Sequence, residues 1–318
     1  MIGATVRTVI VLGAGVCGLT TATVLAETGH AVQVLAASLP PDTTSNVAAA
    51  FWYPYRTLPS ERSVQRAVAS YQAFAELCSV PAAGVSMRRA FDFARHPLPR
   101  PWWADAVRGL AAVPPKDAPP GFGHGWCFDA PVIDTRSYLP YLMQRLRDAG
   151  GAVEIHHVES LDDLRGTEAV INCCGLGART LCDDPALHPI RGQLVHVENP
   201  GLEHVLLDEH DGGGIAYAVP RGDHIVLGGT AIEHDDDLRV RASEADAIVE
   251  RCAELDPRLR NATRRAVVVG LRPGRYDVRL EREPAADRVI IHNYGHGGAG
   301  VTLSWGCAHE VLRLLEAP

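Results

Sequence analysis

Two glycine-rich stretches, one near each end of the chain, carry residue types suited to holding a large anionic ligand. Gly13-Ala14-Gly15-Val16-Cys17-Gly18 has GxGxxG spacing, and His292-Asn293-Tyr294-Gly295-His296-Gly297-Gly298-Ala299-Gly300 puts four glycines in nine residues. In the first, Gly13 permits a tight turn, Gly15 lets a pyrophosphate approach the backbone, and Gly18 lets a helix pack closely on a strand. In the second, successive N–H groups form an anion-binding concavity, and His292 and His296 are read as braces of the turn rather than as catalysts. The acidic residue that such sites use on a ribose is replaced by Ala36-Ala37-Ser38, with Ser38 the nearest substitute. Thr43, Thr44 and Ser45 offer hydroxyls for phosphate or ribose and run into Ala48-Ala49-Ala50 and the aromatics Phe51, Trp52, Tyr53 and Tyr55. That stretch reads equally as a capped turn leading into packed aromatics. Arg272, placed before Pro273, is biased toward extended backbone, and a guanidinium fork grips a carboxylate bidentately.

These residues need elements to position them. Thr8–Leu12 reads as a buried strand, the residues up to Glu27 as a helix, and 31–35 as a second strand, giving a βαβ unit around the GxGxxG turn. Residues 152–156 and 169–173 read as further strands, the latter relaxing into Gly175 and Gly177, and ligands of such sheets bind outside their carboxyl edges. Residues 215–231 read as a hairpin turning at Arg221-Gly222-Asp223. A helix over 302–315 would aim its N-terminus at the second glycine stretch.

With 318 residues and a net charge of −8, the chain lacks the basic field that a nucleic acid requires. No apolar run approaches the roughly 20 residues of a membrane span, and the residues before the first strand do not read as a signal peptide. The eight cysteines have no CxxC or Cys/His ligand spacing, so they are expected as reduced thiols, without a metal, in a cytoplasmic protein.

The ordered blocks Gly13 to Leu19, Thr43 to Tyr55, Gly192-Gln193, Tyr217-Ala218-Val219-Pro220, Gly228-Gly229-Thr230, Gly270-Leu271-Arg272-Pro273 and His292 to Gly298 resemble the D-amino-acid oxidases, which are FAD flavoenzymes. The resemblance spans the chain from the first strand to the last helix. It implies that backbone groups of Gly297, Gly298, Ala299, Gly300, Val301 and Thr302 bond the flavin, and that the Gly298 carbonyl faces the substrate amine. It makes Arg272 the carboxylate fork and Tyr217 its partner, and puts Phe51, Tyr53 and Tyr55 around the substrate side chain. Ala14, Val16, Cys17, Ala37, Ser38, Ala49, Ala50, Phe51 and Val158 are then expected cofactor contacts beside the glycines and hydroxyls already named. The implied reaction is oxidative deamination of neutral D-amino acids to 2-oxo acids, ammonia and hydrogen peroxide, with dioxygen as oxidant. No general base accompanies Arg272 in these motifs, and Tyr217, with a reference pKa of about 10, is a poor one, so hydride transfer from Cα to flavin N5 is expected.

The expected fold is α/β, with a Rossmann-like FAD-binding domain of glutathione-reductase type from 1–55, 131–187 and 266–318. A mixed, β-rich substrate domain takes 56–130 and 188–265. The Pro-rich residues 97–120 read as an irregular surface excursion suited to a homodimer contact. The eukaryotic members carry a longer lid before the tyrosine matching Tyr217, whereas only Asp211-Gly212-Gly213-Gly214 precedes Ile215-Ala216 here, so the lid is expected to be short or absent. Open alternatives are a D-aspartate oxidase or a glycine or sarcosine oxidase. More remote ones are an NAD-dependent dehydrogenase and a non-catalytic flavin-binding module. Arg56 and Arg221 are the residues that could turn the pocket toward acidic substrates.

Overall fold

Residues 8–36 fold as their apolar pattern requires. In the computed structural model, which describes residues 6–210, 214–285 and 287–317, β1 (Thr8–Leu12), α1 (Val16–Glu27) and β2 (Ala31–Ala36) form the expected unit, with β1 and β2 parallel. Then come the single-turn α2 (Thr44–Val47), α3 (Glu61–Leu77), β3 (Val85–Ala94), β4 (Arg108–Ala112), β5 (His124–Ile133) and α4 (Thr135–Asp148). The middle of the chain supplies β6 (Ala152–Ile155), β7 (Ala169–Asn172), α5 (Ala178–Leu181), β8 (His188–Glu198), β9 (Val205–Asp208), β10 (Ala216–Arg221), β11 (His224–Gly228) and β12 (Ile232–Glu233). α6 (Ala242–Leu255), β13 (Arg264–Gly274), β14 (Arg279–Glu283), β15 (Val289–Tyr294) and α7 (Gly300–Glu316) complete it.

Two sheets result. The first has the order β14-β15-β7-β1-β2-β6, parallel except for β14. Its central strands β1 and β7 read as near-continuous apolar runs because helices cover them. α1 packs against α4 and α7, and ten of its twelve residues are buried, as a helix apolar all round must be. The second sheet has nine strands in the order β12-β8-β11-β10-β9-β3-β5-β4, with β13 also paired to β8. The hairpin of β10 and β11 turns at Gly222-Asp223, with Arg221 opposite His224.

Two expectations need correction. β13, assigned from sequence to the cofactor side, pairs with β8 in the second sheet; drawn by sheet membership, the boundary near 266 moves beyond Gly274. Residues 97–120 are not an irregular excursion throughout, because β4 pairs with β5 and Trp103 is buried edge-on against Trp52 and Tyr53. Apolar area of that size is stabilising only when removed from water. Of the segment read as a short lid, Asp211 to Gly213 lie outside the described residues. The described cysteines are all free, and four of the eight are buried. Among the described residues no group could hold a metal ion, and no helix is long and apolar enough to cross a membrane.

α7 and α3 cross where Gly306 meets the Arg66 backbone. The Gly306 N–H donates to Ser70 Oγ at 2.9 Å, and a Cβ on Gly306 would lie 2.2 Å from Arg66 O. Beside this crossing the buried Arg66 pairs with Glu310 at 2.7 Å. Gly306→Ala gains about 1 kcal/mol of helix propensity but must separate the two helices, an overpacking that costs about 1–3 kcal/mol and occasionally more. A net loss of stability is expected in denaturant titration, and a midpoint at or above the parent's would refute the crossing.

Candidate active site

The described chain encloses a cavity of about 460 Å³ that runs from the first glycine turn to the last and is closed on one side by the second sheet. Its walls include residues just beyond the carboxyl ends of β1, β2, β6, β7 and β15, where open parallel sheets bind ligands.

At the α1 end, Gly13 has φ +99°, and a Cβ there would lie 2.6 Å from Cys173 O. Gly18 sits beneath it, a Cβ on Gly18 meeting Gly13 O at 1.9 Å. Gly18 therefore acts through helix packing and does not line the cavity. Gly13, Ala14, Gly15, Val16 and Cys17 do, together with Ala37, Ser38, Thr43, Thr44, Ser45, Ala49, Ala50 and Val158. Ser45 Oγ accepts from the Val16 N–H at 2.9 Å, tying the hydroxyl segment to the helix N-terminus. The Cys17 thiol lies 3.6 Å from His296 Nδ1. Burial pushes that thiol well above its ordinary pKa and pushes His296 down to about 3, so both are uncharged near neutral pH. Asp42, His156 and His157 also line this end. Sequence reading passed over them because loop residues announce no partner before the fold brings them to one wall.

Of the C-terminal stretch, Gly297, Gly298, Gly300, Val301 and Thr302 line the cavity, whereas Ala299 is buried beneath it. Thr302 Oγ1 donates to Tyr53 O at 2.8 Å and accepts from the Tyr53 N–H at 3.1 Å. This locks the aromatic segment to the start of α7. The Gly297 N–H donates to Pro273 O at 2.8 Å, so the glycine loop and the strand carrying Arg272 are directly joined. His292, as a brace, is fully buried, with Nε2 2.8 Å from Glu283 Oε2 and Nδ1 3.3 Å from Asn172 Nδ2. Behind the loop, Arg275 pairs with Asp184 and Arg279 with Glu281 and Glu283.

Phe51, Tyr53, Tyr55, Tyr217 and Arg272 meet in the remaining part of the cavity. Arg272, Tyr217 and Tyr55 each lie on a glycine that leaves them room. A Cβ on Gly192 would be 2.2 Å from Arg272 Nη1, one on Gly228 1.9 Å from Tyr217 Cζ, and one on Gly298 2.2 Å from Tyr55 Cδ1. Arg272 Nη1 donates to Thr230 O at 3.0 Å, and Thr230 Oγ1 accepts from the Gln193 N–H at 2.9 Å. Gln193 is held by the fully buried Arg191, whose guanidinium also pairs with Glu244. Among the described residues Arg272 has no carboxylate partner, and it is the cavity's sole Arg or Lys. Burial, partly opposed by Arg272, pushes Tyr217 up to about 12.

One expectation about this region changes. Tyr53 offers more than an apolar face, because its hydroxyl donates to Glu209 and lies 3.3 Å from the buried Asp92. Glu209 itself lines the cavity, a carboxylate that its polar, turn-like surroundings in sequence concealed. Arg56 and Arg221 do not line it. Arg56 pairs with Glu233 at the surface, and Arg221 is buried against Asp134, Thr135 and the Ala48 carbonyl.

The residues present fit an FAD. Glycines keep Cβ atoms out of the cavity wall at both ends, hydroxyls from Ser38 to Ser45 line the α1 end, and the start of α7 opens onto the middle. The model for the family described as FAD dependent oxidoreductase matches residues 8–314. The chain is 45% identical over 320 residues to a D-amino-acid oxidase of Rubrobacter xylanophilus, covering 100% of this chain and 98% of that one. It is 34% identical over 322 residues to a human D-aspartate oxidase, covering 96% and 94%. Among solved structures, a glycine oxidase of Geobacillus kaustophilus superposes with a TM-score of 0.81 at 18% identity, covering 98% of this chain and 95% of that one. The chain belongs to the FAD dependent oxidoreductase family, with FAD as its cofactor.

Proposed function

We propose that the protein oxidises D-amino acids with uncharged side chains to 2-oxo acids, ammonia and hydrogen peroxide. The observation that carries this reading is Arg272: a half-buried guanidinium on the wall of the FAD cavity, braced by Thr230 O, beside the Tyr217 hydroxyl and without a protein carboxylate of its own. A cation so placed is stabilised by an anion brought in by the ligand. The preference for the D-enantiomer rests on the relatives named above.

FAD, when bound, supplies the two-electron oxidation of the substrate Cα–N bond and delivers the electrons to dioxygen. The chain supplies position. Arg272 and Tyr217 fix the carboxylate, and Gly298, against which the Tyr55 ring lies, presents its backbone toward the amine. Tyr217, pushed up to about 12 by burial, and His296, pushed down to about 3, are poor bases at neutral pH. This supports a reaction in which the amine arrives neutral and the Cα hydrogen leaves with its electrons. A second carboxylate on the substrate would find no further Arg or Lys in the lining, which argues against an acidic preference. The reduced cysteines favour a cytoplasmic setting, and homodimer formation is open to measurement by light scattering.

The direct test is peroxide release from a panel of D- and L-amino acids. Turnover of D-alanine, D-valine and D-methionine ahead of D-aspartate and every L-enantiomer is expected, and a tenfold lead for D-aspartate would reverse the assignment. Arg272→Ala removes a charge-assisted contact worth roughly 1.5–3 kcal/mol, so KM should rise at least about tenfold. Arg272→Lys should not restore it. Gly192→Ala, which places a methyl group where the guanidinium lies, should raise KM in the same direction while flavin content is kept. Wild-type kinetics in all three would place the carboxylate elsewhere. Tyr217→Phe separates positioning from base catalysis: one lost hydroxyl costs about 0.5–1.5 kcal/mol, whereas a fall of about 10⁴ in flavin reduction would mark an acid–base group.

A further inference from the structure

Glu209 follows β9 and shares the cavity wall with Leu207, Ile215, Tyr53 and Tyr55. Its Oε1 accepts a 2.5 Å hydrogen bond from Tyr53 Oη, and that hydroxyl also lies 3.3 Å from Asp92 Oδ2. Asp92 is 2% exposed, and its other oxygen is 2.8 Å from His210 Nε2. The buried Asp92 and the half-buried Glu209 therefore differ in compensation. Asp92 has the imidazole of His210, whereas Glu209 has one phenol proton, shared at best with Asp92, and no Arg or Lys among the described residues. Its second oxygen accepts no hydrogen bond from a described residue. A largely desolvated carboxylate so poorly matched is costly unless a donor arrives, and the cavity is where one can arrive.

Tyr55, whose hydroxyl is raised by burial, feels the opposing influences of Arg272 and Arg56, which lower it, and of Glu209, which raises it. The cavity thus has a cationic contact suited to the α-carboxylate and an anionic one set apart from it. We propose that Glu209 is the specificity-determining residue of the side-chain pocket, accepting hydrogen bonds from the cationic end of a D-lysine- or D-arginine-type side chain and repelling a second carboxylate. This rests on the D-amino-acid reading above and extends it from uncharged side chains to long basic ones. Tyr53 acts as a positioning residue, holding Glu209 Oε1 so that the other oxygen stays available. Among the described residues the cavity lining holds no Arg or Lys besides Arg272; Arg56 pairs with Glu233 and Arg221 with Asp134.

The test uses the holoenzyme and pairs of equal length: D-lysine against D-norleucine, and D-arginine against D-citrulline. In Glu209→Gln the basic-to-neutral ratio of kcat/KM should fall at least about tenfold, and the D-glutamate-to-D-glutamine ratio should rise. A loss shared equally by both members of each pair, leaving the ratios unchanged, overturns the proposal and moves Glu209 into the chemistry of the amine. Inhibition of the unaltered enzyme gives a second readout that no folding defect can cloud. 6-Aminohexanoate should compete with D-alanine more tightly than hexanoate does, and the reverse order counts against Glu209. Should the wild type oxidise D-norleucine and D-alanine with the ratios insensitive to Glu209, only this inference falls. Should it oxidise no D-amino acid, the reading beneath it falls as well.

Discussion

The organising constraint of this molecule is the seating of one guanidinium on a strand that has no Cβ to obstruct it. Arg272 lies across Gly192, and a single added carbon there would come within 2.2 Å of Nη1. The position is then fixed by Thr230 O, and Thr230 by Gln193. Arg191, fully buried and bonded to the carbonyls of Asp237 and Arg239 as well as to Glu244, anchors the whole arrangement. A buried arginine is tolerated here because all three of its guanidinium nitrogens find acceptors. The result is a rigid support for a second arginine whose remaining donors are left for a ligand.

The two sheets depend on each other through the residues that face the ligand. Residues 50–52 bond to β5 through Trp52 N–H to Pro131 O and Ile133 N–H to Ala50 O, both 2.8 Å. Tyr53 then bonds Thr302 at the start of α7. Ala50 adopts a left-handed φ of 55° at this junction, a conformation that costs a residue with a Cβ of order 1–3 kcal/mol and persists where the surroundings over-determine it. On the other side of the cavity the Gly297 N–H to Pro273 O bond makes the equivalent link. A ligand lying between the glycine loop and Arg272 therefore touches elements already held at fixed separation, and little ordering remains to be supplied by binding.

What the sequence made legible follows from how local each requirement is. Gly13, Gly15 and Gly18 announce themselves because a turn, a close approach and a helix contact all occur within six residues. The C-terminal glycine stretch is equally self-contained. Membership of a motif did not say which residues face the ligand, since Gly18 and Ala299 serve by packing. The sheet to which β13 belongs could not be read because RRAVVVGLRPG fits a strand in either, and only its pairing with β8 decides. Trp103 lay in a Pro-rich segment whose local grammar is that of a loop, although its burial against Trp52 is a long-range contact. Glu209 was hidden for the same reason: its partners Tyr53 and Asp92 lie 156 and 117 residues away, and nothing in its neighbours hints at them.

Burial also sets the protonation state of the cavity, and in a consistent direction. Removing water disfavours whichever form is charged, so Tyr217 and Cys17 are pushed up and His296 is pushed down. None of the three changes charge across the neutral range. The field around a bound substrate is then dominated by Arg272, by the backbone dipoles of the glycine loop and the start of α7, and by Glu209. The first two are already oriented before a ligand enters, the condition under which electrostatic stabilisation costs no reorganisation during reaction. Glu209 is the exception, because its carboxyl is raised by burial and by the neighbouring Asp92 and Asp208 against the lowering effect of the Tyr53 hydroxyl and His210. The α-carboxylate contact is thereby held constant while the side-chain contact answers to what the ligand brings, so the site can keep one reaction geometry and still choose among side chains.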